Sequence, residues 1–227
     1  NAEHGMNFLG VEYPPKVSGT AKLLRILNNV WEVKGIWLQG TRGVQGLLIE
    51  HNTFFTQQGN TASLTDLPTQ GFALKNNIGQ RAGYGIKGDG TGEGIPTLNA
   101  FCPGWVVERN VLVGADSTQY PSNNFYPVTL SQVGFVDLGA KDYRLAPTSP
   151  YKGQGTDGKD PGVDFDALNA AQLPPVTPTP NPPDPQPPVL KKVAWPKQEP
   201  KQDQVLDEQW VLGFRMKRNL SGDYAEF

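Results

Sequence analysis

The sequence predicts an all-β solenoid: a parallel β-helix over residues 1–172, then a proline-rich linker at 173–190 and an extended C-terminal tail at 191–227. Two observations carry this prediction, a phrase that returns four times and an abrupt change of composition near residue 173. Ile26-Leu27-Asn28-Asn29-Val30, Ile49-Glu50-His51-Asn52-Thr53, Leu74-Lys75-Asn76-Asn77-Ile78 and Val107-Glu108-Arg109-Asn110-Val111 each hold an apolar residue, two variable ones, an asparagine and a β-branched residue. The asparagines are 23, 25 and 33 residues apart, the period of one solenoid turn with extra loop in the last interval. Such a chain buries its core by stacking neighbours.

The physical case for a recurring asparagine has two parts. Rungs of a β-helix are short strands joined by tight turns, and a turn residue adopts the left-handed conformation, which asparagine tolerates. Stacked rungs then set the amides of Asn29, Asn52, Asn77 and Asn110 above one another as a structural ladder, donor to acceptor. An unpaired member costs about 1–3 kcal/mol.

The segments that lead into these phrases, residues 23–27, 44–49, 71–74 and 105–107, are short, apolar and rich in branched side chains, as buried strands are. Residues 35–40 predict a further strand. Residues 1–20, with Gly5, Gly10, Pro14, Pro15 and Gly19, predict a loop or an irregular opening rung. Between Asn77 and Asn110 lies the longest excursion, which contains Gly83-Tyr84-Gly85-Ile86-Lys87-Gly88. That spelling matches G-x-G-x-x-G, but a phosphate site needs a helix opening at the second glycine. More glycines and Pro96 follow instead, so the stretch predicts a tight strand and a surface loop.

With 227 residues, 37% of them apolar, the chain is long enough to bury a core. Nine of the 21 prolines fall in the fifteen positions from Pro174 to Pro188, which marks the linker. A formal charge of −2 gives no basic field for nucleic acid, and no apolar run reaches the length of a membrane span. The one cysteine, Cys102, excludes an intramolecular disulfide and reads as a small buried apolar residue. His4 and His51 are too few for a three-histidine zinc centre, and His51, at a variable position of its phrase, is expected to face solvent. The chain opens at Asn1 in mid-phrase, as expected after removal of a leader or for the carboxyl part of a longer product.

The closing section, Val133-Gly134-Phe135-Val136-Asp137-Leu138 and then Asp142-Tyr143-Arg144-Leu145-Ala146-Pro147, with Gly153, Gly155, Thr156-Asp157-Gly158 and Gly162-Val163-Asp164, resembles the terminal rung of bacterial secreted right-handed parallel β-helix repeat proteins, the pectate-lyase-like superfamily. Residues 49–53 and the region from Thr97 to Val113 are similar to members of the same group. The resemblance covers residues 20–170. It implies a right-handed coil and a secreted or cell-surface location, extracellular or periplasmic. It does not single out an activity, because the superfamily spans lyases, hydrolases, epimerases and adhesins.

Members that cleave acidic polysaccharides by elimination use acidic calcium ligands beside an Arg or Lys base. The candidates here are Asp89 and Glu93 in the glycine loop, near Lys87, and Arg109. A hydrolase needs converging carboxylates, for which Asp116, Asp137 and Asp142 are available. Asp157, Asp160, Asp164 and Asp166 invite a calcium reading without EF-hand spacing; a turn-rich cap explains them equally. Tyr120, Phe125 and Tyr126, among Pro121, Asn123, Asn124 and Pro127, suit stacking on sugar rings or packing on the coil.

In the tail, Trp210, Leu212, Phe214 and Met216 alternate with Val211, Gly213 and Arg215, which predicts one partner-binding strand that adds to a neighbouring sheet edge. The first functional reading is an extracellular, non-catalytic scaffold that takes part in a protein assembly or binds surface polysaccharide. The second is a polysaccharide lyase or glycoside hydrolase. The scaffold calls for no cofactor; calcium belongs to the second.

Overall fold

The computed structural model describes residues 2–16 and 18–170, together with the backbone of 209–211, 214–218 and 224–226. The chain divides into two units, Asn1–Pro175 and Val176–Phe227. The proline-rich linker lies outside the described residues.

The first unit is a right-handed parallel β-helix with three faces. One face holds β1 (Met6–Leu9), β4 (Leu38–Thr41), β7 (Asn60–Thr65) and β10 (Tyr84–Gly88). The second holds β2 (Lys22–Leu27), β5 (Gln45–Glu50), β8 (Gln70–Lys75) and β11 (Val106–Glu108). The third holds β3 (Val30–Val33), β6 (Thr53–Thr56), β9 (Ile78–Gln80) and β12 (Val111–Val113). The chain visits the faces in that order, and every pairing within them is parallel. The opening segment therefore contains a strand: β1 lies parallel on β4, Met6 opposite Leu38.

Side chains that share a register position stack through the interior. Ile26, Ile49, Leu74 and Val107 form one column, and Leu38, Ala62 and Ile86 another, all buried. In a third column, Trp31, Phe54, Gly79 and Leu112, large and small residues complement each other. A β-carbon at Gly79 would lie 1.9 Å from the Phe54 ring, which stacks on Trp37 with centroids 3.7 Å apart.

A short helix, α1 (Ile95–Phe101), follows the glycine loop where none was expected. Pro96 falls in its first turn, where the missing amide proton costs no intrahelical bond. The helix opens at Gly94, far from the second glycine of the G-x-G-x-x-G spelling, so the phosphate geometry is not met. Gly85 and Gly88 serve packing: β-carbons there would collide with Tyr120 and Glu93, and with the Phe101 ring.

Beyond β12 the chain leaves the coil path. The stretch expected as a terminal rung forms an antiparallel hairpin, β13 (Phe135–Asp137) and β14 (Asp142–Leu145). It lies on the outer side of the third face, where Val133 and Leu145 join Ile78, Val111 and Val113 in a second apolar cluster, and Tyr143 packs 4.7 Å from Phe55. The outward side chains of that face are too apolar to stay in water, so the hairpin covers them. After a turn-rich stretch comes α2 (Phe165–Ala170).

In the second unit, β15 (Gln209–Val211), β16 (Phe214–Arg218) and β17 (Tyr224–Glu226) form an antiparallel sheet. The expectation of one strand over 210–216 is corrected: Trp210 and Val211 lie in β15, antiparallel to Phe214 and Met216 in β16. Trp210 thus belongs to one strand and Phe214 and Met216 to the next, while Leu212 lies outside the described residues.

Candidate functional site

The asparagine ladder is continuous and has a direction. The backbone and side-chain amides of Asn29 both donate to Oδ1 of Asn52, at 3.0 and 2.9 Å, and the same pair of bonds links Asn52 to Asn77 and Asn77 to Asn110. A fifth member, Asn124, accepts from Asn110. Asn52, Asn77 and Asn110 are fully buried. Each also donates to a carbonyl of the preceding rung, those of Ile26, Ile49 and Leu74. The ladder asparagines are not the left-handed residues. That conformation falls one position earlier, on Asn28, His51, Asn76 and Arg109, with φ between 52° and 58°. The asparagine is required for its amide, and its neighbour makes the bend.

Three members of this left-handed column, Asn28, His51 and Asn76, are clasped by residues 153–164, a strap that runs back along the coil. Asn76 donates to the Thr156 hydroxyl and accepts from its amide, both at 2.8 Å. His51 sets Nδ1 3.1 Å from the Gly162 carbonyl oxygen and Nε2 3.0 Å from Asp157 Oδ2. Asn28 exchanges two bonds with the Asp164 backbone. His51, expected in solvent, is thus half-buried beneath the strap.

The strap also accounts for the aspartates read as calcium candidates. Asp160 receives Lys152 Nζ and the Gly153 amide, Asp164 receives Lys159 Nζ and the Ala167 amide, and Asp157 faces His51 and the Lys159 amide. Three carboxylates with three sets of partners do not form one oxygen cage. Among the described residues no three His, Cys, Asp or Glu side chains converge as metal ligands. Between β14 and the strap lies a groove of about 900 Å³, whose cations Arg144, Lys152 and Lys159 are each paired with a carboxylate.

The weak catalytic candidates are separated. Arg109 sits in the turn between β11 and β12, its guanidinium 5.9 Å from the Phe125 ring centroid. Asp89 lies in the exposed turn after β10. Glu93 is buried beside that strand, where Arg81 grips it through Nε at 2.8 Å and Nη2 at 2.9 Å and Tyr120 donates at 3.1 Å. Burial opposes its charge, but Arg81, the Gly85 amide and Tyr120 hold its carboxyl below the usual range. Both oxygens of this carboxylate are thus engaged by Arg81, with Tyr120 adding a second bond to Oε1. Asp116, Asp137 and Asp142 serve Thr118, Ala140 and Arg144 in their own turns.

The aromatic loop packs onto the coil, with Tyr120 buried and Phe125 and Tyr126 half-buried. Tyr120 is buried and donates to Glu93 while accepting from the Ile86 amide; burial raises its hydroxyl far above the ordinary value. Phe125 packs against Tyr151, and Tyr126 donates to the Pro121 carbonyl. Tyr120 has no open ring face for a sugar.

One polar row had no counterpart in the sequence reading. On the first face, Asn7, Gln39, Ser63 and Lys87 share a register position, alternating with the inward Leu38, Ala62 and Ile86. At its end Tyr84 is 50% exposed and the Lys87 amine lies 3.9 Å from its ring centroid. Register alone creates this row, because Asn7, Gln39, Ser63 and Lys87 share no local motif.

Among the described residues no helix is long and apolar enough to cross a membrane. No protein-family model, curated protein or solved structure matches this chain.

Proposed function

We propose that this chain is a non-catalytic scaffold of the pectate-lyase-like superfamily, secreted or cell-surface in location, which takes part in a protein assembly and binds acidic polysaccharide along its first face. The single observation behind this reading is the state of its carboxylates. Glu93, the one buried acid near the candidate site, is committed to Arg81 and Tyr120, the exposed Asp116 and Asp137 serve their own turns, and Asp89 stands in an exposed turn apart from Arg109. General acid–base chemistry needs a carboxyl free to exchange protons with substrate. The row from Asn7 to Lys87 offers the amides of Asn7 and Gln39 and the ammonium of Lys87 to sugar hydroxyls and carboxylates, with Tyr84 as an exposed ring.

Native mass spectrometry paired with a polysaccharide turnover panel tests the proposal. A companion protein or multimer is expected, with acidic glycan retained, retention weakened by Tyr84→Ala with Lys87→Ala, and no turnover. Calcium-dependent cleavage of a uronate polymer, abolished by Arg109→Ala, would replace the scaffold with a lyase.

A further inference from the structure

We propose that the strap over the left-handed column is a pH-sensitive clasp, closed by a doubly protonated His51 ring and loosened when that ring gives up its proton. The device works whatever the scaffold binds.

Both partners of the His51 ring are acceptors. Nδ1 lies 3.1 Å from the Gly162 carbonyl oxygen and Nε2 lies 3.0 Å from Asp157 Oδ2. A carbonyl oxygen has no proton to give, and neither has a carboxylate. A neutral imidazole owns one N–H, so one of its nitrogens would turn a lone pair toward an oxygen lone pair; the imidazolium owns two and satisfies both contacts. Charge agrees. Asp160 and Asp164 are paired with Lys152 and Lys159, whereas Asp157 has the Lys159 backbone amide and, among the described residues, no Lys or Arg side chain. His51 is the cation that answers it.

The other charged groups around the ring are already engaged. On the strap, Asp164 Oδ2 receives Lys159 Nζ at 2.7 Å. On the coil, Glu50 of β5 is paired with Lys75 of β8 at 3.3 Å and accepts from Asn76 Nδ2 at 3.1 Å. The column neighbours Asn28 and Asn76 are neutral, and Arg109 lies over Phe125. With its side chain 14% exposed, the His51 ring has little access to water that could stand in for a lost partner. A cation held in the closed form stabilises closure fully while the ring is protonated in the open form as well, and that contribution is lost as pH rises and the closed form gives up its proton. Acid discharges Asp157 from the other side. The clasp is therefore tightest in mildly acidic solution.

Two measurements on the full chain test the clasp. His4→Gln leaves His51 as the one histidine, and the nitrogen-15 spectrum of its ring at about pH 6 is expected to show both nitrogens protonated. Hydrogen-exchange protection, taken relative to the intrinsic rate at each pH, is read at the amides of Thr156, Gly162 and Asp164, which bond to Asn76 and Asn28. It is expected to fall about tenfold between about pH 6 and pH 8.5. His51→Asn suits the left-handed backbone, as Asn28 and Asn76 do in the same column, and is expected to remove the fall while β5 and β8 stay protected. One protonated ring nitrogen at pH 6, strap protection unchanged from pH 6 to pH 8.5, or an equal fall in the His51→Asn chain would overturn the proposal. The ring spectrum decides even where His51→Asn fails to fold.

Discussion

Asn52 gives two hydrogens to one oxygen: its backbone amide and its side-chain amide both reach Oδ1 of Asn77, at 2.9 and 3.0 Å. Loss of that oxygen strands a buried backbone N–H, and loss of the Asn77 amide strands the Ile49 carbonyl. Asn77→Leu is expected to lower stability by at least about 2 kcal/mol. Asn29→Leu, at the half-buried start of the ladder, is expected to cost under about 1 kcal/mol. Denaturant midpoints compare the two, and equal losses would remove the ladder from the account of stability.

Gly79 is the small partner of Phe54. Since a β-carbon would stand 1.9 Å from that ring, Gly79→Ala forces Phe54 out of its stack on Trp37. Overpacking of this kind costs about 1–3 kcal/mol. Thermal melts and the near-ultraviolet signal of Trp37 report the change; an unaltered spectrum would show that the column has slack.

Cys102 is fully buried, and burial pushes its thiol up to about 12. The thiolate is the reactive form. At pH 8 a disulfide reagent is therefore expected to leave the folded chain unlabelled and to label it fully in denaturant. Prompt labelling of folded protein would mean that the interior near α1 opens readily.

Acid is expected to loosen the strap. Burial opposes the charge of Asp157, yet the Lys159 amide and His51 hold its carboxyl below the ordinary range; Lys159 and the Ala167 amide do the same for Asp164. Carboxylates depressed in the folded state stabilise it fully above their unfolded values, and that contribution is lost as pH falls through the folded ones. Proteolysis within residues 153–164 is expected to quicken below about pH 4. A strap as resistant at pH 3 as at pH 7 would show that these charges do not hold it.

The coil was legible because one requirement recurs at one place: an amide that bonds above and below leaves asparagine at 29, 52, 77 and 110. Asn124 escaped because it follows its predecessor by 14 residues and precedes Phe125 where the other phrases have a branched residue. The left-handed column escaped for a different reason. Its bend is fixed by the coil, so Asn28, His51, Asn76 and Arg109 have a conformation in common but no residue type. Hydrogen bonds between the strap and the coil join residues far apart in the chain, as Asn28 joins Asp164, and no local pattern announces them. The pairing of Glu93 with Arg81 was likewise invisible, since a glycine loop with acidic residues reads as solvated until Arg81 is seen to face it.

A solenoid held only by contacts between adjacent turns frays from its ends, one turn at a time. The strap changes that behaviour, because Asn28, His51 and Asn76 on three successive turns are bound to one stretch of chain that comes more than seventy residues after the last of them. Fraying of the first turn must release Asp164, and release of Asp164 loosens the turns beyond it. Three turns of the coil are thereby tied to one another through a single segment as well as through their neighbours. The cost falls on kinetics: closing so long a loop is slow, and a nascent chain that has reached β12 holds every turn of the coil without the clasp that joins three of them.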